Sequence, residues 1–301
     1  MSSRIKSYIY LHIAVFLFGF TAILGKQISL SAISLVWHRM WMAAFALLFV
    51  PKVWRGIKKI QPVDKKRFIL IGILIAIHWI TFYGSIKLGN SASLTLACLS
   101  TVTLFTSFLE PWLTKTKFQW VELVIGLIII LGILLIAQMG KAFYQAIWVG
   151  LLSALFAALF STLNKKYIKA KYNALSISSL ELFAGWVFLV CVTPLLDQSF
   201  YNQFTLPKQD IPYLLILAIL CTSLAFVLSV IALKDLSAFT SNLAINLEPV
   251  YGILLAGIIF KENKELAPSF YWGTGIILIA VFIHPILLRF QKSKINQRVH
   301  S

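Results

Sequence analysis

The sequence predicts an all-α polytopic membrane protein: ten transmembrane helices arranged as two inverted five-helix repeats. Three observations predict it. The apolar residues fall into ten separate blocks, the basic residues gather in alternate connections, and a weak internal repetition divides the blocks five and five. An apolar run of about 20 residues crosses the hydrocarbon core of a bilayer as a helix. Of 301 residues, 59% are hydrophobic and 12% charged, against about 25% charged in ordinary soluble domains. A water-soluble fold has too little polar surface to cover such a core.

The blocks run over 8–25, 33–50, 68–86, 92–108, 121–139, 146–163, 177–196, 211–233, 238–260 and 270–288. Backbone amides in hydrocarbon must be bonded within the segment, and none of the blocks alternates like a barrel strand, so each reads as a helix. The first block follows a basic start, yet no small-residue cleavage site follows it and it is long enough to span. It therefore reads as a first helix and not as a removed signal peptide.

Lys and Arg are retained in cytoplasmic connections. With the N-terminus inside, the inner side collects 20 of the 27 cations, seven of them between residues 52 and 67, and the outer side six: Lys26, Lys87, Lys141, Lys208, Lys261 and Lys264. Both termini are thus expected in the cytoplasm, in what reads as a bacterial cytoplasmic (inner) membrane. The same count accounts for the net charge of +17. A nucleic-acid partner would need the cations on one face of a soluble domain, so none is expected. Cys98, Cys191 and Cys221 all fall within spans, which indicates packing residues and no disulfide framework.

The repetition is carried by short matches. Ser91-Ala92 corresponds to Ser237-Ala238 and Lys115 to Lys261 at an offset of 146, Gly126 to Gly273 and Lys87 to Lys234 at 147, and Leu24-Gly25-Lys26 to Leu163-Asn164-Lys165 at 139. The units are 1–140 and 141–301. Five spans per unit is an odd number, so the second unit enters the membrane from the opposite side. Inverted repeats place a site at their interface near the midplane, where rocking of one half exposes it to either side in turn.

The stretches Ser-Ile-Lys-Leu-Gly-Asn-Ser-Ala (85–92) and Ala-Leu-Lys-Asp-Leu-Ser-Ala (232–238), then Asn246-Leu247-Glu248-Pro249-Val250 and Phe260-Lys261-Glu262, resemble the signature of EamA-type transporters of the drug/metabolite transporter superfamily. The resemblance covers about residues 8–288 and implies ten helices in two inverted repeats, export of small metabolites such as amino acids, and a last helix of each repeat that lies outside the cavity. The first half departs from the second: Val102-Thr103 stands where Glu248-Pro249 is expected, and Glu110-Pro111 follows two turns later.

Polar residues inside spans are the candidate substrate-binding residues, because a charge at mid-bilayer must face protein or a water-filled cavity. Glu248 is the deepest acid. Pro249 beside it lacks an amide and frees the carbonyl of Ile245, so it is read as a kink or gating position. Asn242 and Asn246, four residues apart, share a face for substrate contact or helix contact. Arg39 is the one cation within a span. Its guanidinium suits a carboxylate substrate, or an internal pair with Glu181 or Glu248. His38 beside it is a titratable candidate. His78 and Trp79, followed by Thr81, Phe82 and Tyr83, make an aromatic and polar wall of the kind that lines small-molecule sites. Glu181 lies a turn or so into helix seven, in a structural or functional role. Trp54, Trp112, Trp120, Trp148 and Trp272 fall at helix ends like an interfacial belt.

The sequence holds no phosphate-cradling loop, metal motif or nucleophile elbow, and no connection is long enough to be a domain. No cofactor, metal or catalytic residue is expected. The leading expectation is a secondary transporter, with coupled uptake as the alternative direction. An intramembrane lipid-acting enzyme and a membrane scaffold are the rivals from other classes. The expected partners are a small-molecule substrate and the lipid bilayer, with a homodimer left open.

Overall fold

The computed structural model describes residues 3–115, 120–137, 140–169, 171–196, 206–245, 247–264 and 266–299, and every regular element among them is helical. The helices are α1 (Ser3–Gln27), α2 (Ala32–Leu48), α3 (Pro51–Lys59), α4 (Pro62–Gly89), α5 (Ala92–Leu99), α6 (Val102–Thr114) and α7 (Trp120–Ala137). They continue with α8 (Tyr144–Tyr167), α9 (Ala174–Leu196), α10 (Ile211–Leu215), α11 (Ala225–Asp235), α12 (Ala238–Ile245), α13 (Leu247–Phe260) and α14 (Pro268–Val299).

Six helices are long and apolar enough to cross a membrane: Arg4–Gln27, Pro62–Gly89, Ala92–Thr114, Tyr144–Tyr167, Ala174–Leu195 and Lys208–Asp235. A seventh is reached if α2 and α3, bent by 91° at Pro51, are taken as one span. Three shorter apolar helices, Val124–Ile136, Leu247–Phe260 and Pro268–Ala280, add to the bundle. The protein is an integral membrane protein.

One block that reads as a single helix is interrupted: residues 92–108 divide at Ser100 and Thr101 between α5 and α6. Ser91 caps α5 by accepting from the amide of Leu94. Pro249 is buried in α13. Asn246 lies outside the described residues.

The cores form where small residues allow close approach. A Cβ at Gly72 of α4 would lie 2.2 Å from the carbonyl oxygen of Glu181, and one at Gly185 would lie 2.5 Å from the carbonyl oxygen of Gly72, so α4 and α9 touch backbone to backbone. α7 and α14 meet in the same way through Gly132 and Gly273. The outer surface is apolar, and Trp54, Trp112, Trp148 and Trp272 are all exposed on it. The side chain of Trp120 lies outside the described residues.

Polar contacts gather at the two ends of the bundle. At the end where α1 begins, called proximal here, Asp64 accepts from Tyr172 Oη (2.5 Å) and pairs with Lys169 (2.7 Å) and Arg67 (2.8 Å), and Ser7 Oγ donates to Asp235 (2.6 Å). At the distal end Asp210 accepts from the amide (3.0 Å) and hydroxyl (2.6 Å) of Ser29. Glu262 there pairs with Lys26 at 2.8 Å and accepts from Ser91 Oγ and from the amides of Ala92 and Ser93, each at 3.1 Å. This carboxylate closes the exposed amides at the start of α5, a position where negative charge also meets the favourable end of the helix dipole. Burial raises the Glu262 carboxyl, but the hydrogen bonds from Lys26, Ser93 and the α5 amides outweigh it and hold the group below its ordinary value.

Candidate substrate cavity

Between the two ended networks lies a cavity of about 810 Å³, mouth included, walled by α1, α2, α4, α6, α8, α11, α12 and α13 and by Leu99 at the end of α5. Its wall is mostly apolar and aromatic: Phe18, Trp79, Phe82, Phe160 and Phe226 supply the rings. The polar groups are few. Arg39 and Glu248 carry formal charge, with Thr21, His78, Ser161, Asn164, Ser229 and Ser241 around them.

Arg39 is placed by three elements. Its guanidinium stacks on Trp79 of α4, with Cζ 3.8 Å from the ring centroid, a favourable cation–π geometry. Its Nη1 donates to Tyr83 Oη at 2.7 Å and its Nε to Thr222 Oγ1 at 2.6 Å. Thr222 lies in the π-helical stretch Ile216–Leu224 that joins α10 to α11, and its hydroxyl donates to the carbonyl of Leu217 five residues back (2.6 Å). The wider turn is what turns this hydroxyl onto the guanidinium, and π-helical turns are frequent at functional sites.

Glu248 is buried in the first turn of α13 and its Oε1 is 3.5 Å from Thr21 Oγ1. Thr21 also receives the Tyr83 hydroxyl at its carbonyl, at 3.5 Å. A chain of contacts thus runs from the guanidinium through Tyr83 and Thr21 to the carboxylate. Among the described residues Arg39 makes no ion pair. The cation and the acid face one space from different elements and do not neutralise each other by direct contact.

The chain is similar to known transporters at the level of sequence. The EamA-like transporter family model matches residues 5–138 and 145–284. The chain belongs to the EamA-like transporter family. Among curated relatives, an uncharacterized transporter of Clostridium kluyveri is 22% identical over 279 residues, covering 87% of this chain and 88% of that protein. An uncharacterized transporter of Methanothermobacter thermautotrophicus is 27% identical over 154 residues, covering 47% of this chain and 44% of that protein, so the match spans less than half of that relative's length. A protein of known crystal structure, 13% identical, superimposes with a TM-score of 0.67 over 95% of this chain and 98% of its own, a likeness of fold alone.

Within this EamA-family chain the expected site residues divide. Arg39, His78, Trp79 and Glu248 line the cavity. His78 is held by Ser153, whose carbonyl and hydroxyl oxygens both lie 2.9 Å from its Nδ1. His38 does not reach the cavity: its Nδ1 accepts from Trp41 Nε1 at 3.0 Å and its ring packs against Trp37. Asn242 lies in α12, but its side chain is outside the described residues, as is the whole of Asn246. Pro249 is buried one residue beyond Glu248. Thr21, Tyr83 and Thr222 were not singled out from the sequence as site residues, although Tyr83 falls in the aromatic run after Trp79. Threonine is common in these spans, and only the register of the π-helical stretch distinguishes Thr222.

Proposed function

We propose that this chain is a secondary transporter that exports small metabolites such as amino acids by alternating access. The observation that carries the reading is the cavity itself. A guanidinium and a carboxylate face one apolar, aromatic-walled space without pairing directly. That suits a zwitterionic solute, whose carboxylate meets Arg39 and whose ammonium meets Glu248. Arg39 is the anchor, Trp79 and Phe226 form the apolar wall, and Glu248 on α13 is the opposing charge.

Ten spans in two inverted repeats, 1–140 and 141–301, are part of this proposal. In support, Ser91 and Ser237, 146 residues apart, each accept the amide of the residue three positions on at the start of α5 and of α12. Asp64 and Asp210 are also 146 residues apart, and each ties the start of one repeat's third span to the first connection of the other repeat, at opposite ends of the bundle. On the charge distribution the proximal end and both termini face the cytoplasm. The cavity reaches Asn164 and Leu233 on that side, and the Glu262 network closes the other.

Counterflow in proteoliposomes against a panel of radiolabelled amino acids, organic acids and sugars tests the proposal. Saturable exchange of one class, lost in Glu248→Gln, supports it. A folded protein that exchanges none of them, in either direction and with or without a pH gradient, counts against it.

A further inference from the structure

A second acid is buried in the bundle, outside the cavity wall. Glu181 is 0% exposed, about two turns into α9. Its Oε2 accepts from Asn164 Nδ2 at 3.3 Å, while its Oε1 finds no hydrogen-bond partner among the described residues. Asn164 is itself a cavity residue, and its Oδ1 is likewise unpartnered. The same region holds further unsatisfied oxygens, on Thr162, Ser178 and Ser179. Ser178, three residues before Glu181, shares its helix face.

The charged and titratable groups on the elements packed against α9 are committed elsewhere. On α2, Arg39 is bonded to Tyr83 and Thr222, and His38 to Trp41. On α4, Asp64 and Arg67 pair with each other, Lys65 and Lys66 lie near the helix start, and His78 is held by Ser153. On α3, Lys52, Arg55, Lys58 and Lys59 are exposed. On α11, Asp235 accepts from Ser7, and Lys234 donates to the carbonyl of Tyr172. On α8, beside Asn164, Lys165 donates to the carbonyl of Leu233. None of these contacts includes Glu181.

An ionised carboxylate taken out of water without a counter-ion costs several kcal/mol. The group must therefore carry a proton or meet a small cation in this conformation. Gly72 packs onto the Glu181 backbone carbonyl and brings α4 against α9 at this level, and among the described residues no cluster of His, Cys, Asp or Glu that could hold a metal ion includes Glu181. We infer that Glu181 is the proton-carrying site of the transporter, exchanging a proton with water that reaches it from the cavity beside Asn164 as the helices rock. In this cycle an O–H bond forms at Glu181 with a proton taken from water on one side of the membrane. It breaks again, to water on the other side, once the helices separate. The inference rests on the transporter reading above and adds a coupling ion to it.

Two measurements keep the failures apart. Infrared difference spectra of the whole protein in lipid nanodiscs, titrated between about pH 5 and pH 9, read the proton without any substrate. The expected result is a pH-dependent carboxylic carbonyl band that is absent in Glu181→Gln and present in Glu248→Gln. A spectrum in which Glu181→Gln removes no titrating band overturns the inference, as does a carboxylate band that responds to sodium alone. In proteoliposomes charged with the amino-acid panel, an imposed gradient should drive accumulation by up to about tenfold per pH unit for one proton exchanged. Glu181→Gln should abolish that accumulation and keep gradient-free counterflow. Accumulation equal to wild type in the variant overturns the inference. Loss of counterflow in wild type as well would instead count against the transporter reading.

Discussion

The guanidinium of Arg39 lies 3.8 Å from the ring centroid of Trp79, stacked face on within the wall of the cavity. Stacking fixes the plane of the guanidinium, and the bonds to Tyr83 and Thr222 fix its rotation. A cation so held presents its remaining donors to the cavity in one orientation, which lowers the ordering cost of binding a planar carboxylate.

Arg39→Lys keeps the charge but loses the plane, the fork and much of the stacking. Exchange of the transported solute is expected to fall by about tenfold or more, with the melting temperature in detergent close to wild type. Initial rates of counterflow across a range of solute concentrations check it.

Thr222→Val is nearly isosteric and removes the oxygen that accepts Arg39 Nε. A buried donor left without a partner costs about 1–3 kcal/mol, and here the loss appears first as a misplaced guanidinium. The expected outcome is a raised half-saturation concentration, with Thr222→Ser restoring it, measured in the same exchange assay.

The Lys26–Glu262 network makes the distal end sensitive to acid. The folded Glu262 carboxyl lies below its ordinary value of 4.5. Its stabilising contribution is therefore complete above pH 4.5 and fades as pH falls through the lower folded value. Glu262→Ala is expected to destabilise the protein by about 3 kcal/mol near neutral pH and to flatten the acid limb of its stability curve. Thermal melts of wild type and variant from neutral to acid pH read both effects.

Gly72→Ala places a methyl group where the Glu181 carbonyl oxygen stands, 2.2 Å from the ideal Cβ. Overpacking of this kind costs about 1–3 kcal/mol. The variant is expected to melt earlier and to yield less folded protein by size-exclusion chromatography. Gly275→Ala, where no atom lies within 4 Å of the added carbon, is expected to be neutral.

The sequence and the structure part company in physically specific places. That the chain crosses a membrane as apolar helices, and that Arg39 is housed inside the protein, were legible because an apolar block announces itself and a lone cation within one must be sheltered. The interruption at Ser100 was not, since the hydropathy of the block runs on across it. His38 is a titratable neighbour of Arg39 in sequence, and its packing role depends on the Trp41 indole that donates to its Nδ1. Glu181 read as a group near a helix end because the apolar block begins at 177. The helix itself starts at Ala174, and Gly72 closes over the backbone of Glu181. The roles of Thr21 and Thr222 depend on which helices meet, and one chain read alone does not show that.

The most direct test of transport through this cavity is labelling of a cysteine placed at Ser229, in the Cys191→Ser background, by a membrane-impermeant maleimide applied from each face of the membrane. The account predicts reaction from both faces, slowed by the solute that exchanges in counterflow. Reaction from one face only, at a rate indifferent to that solute, would contradict alternating access at this site.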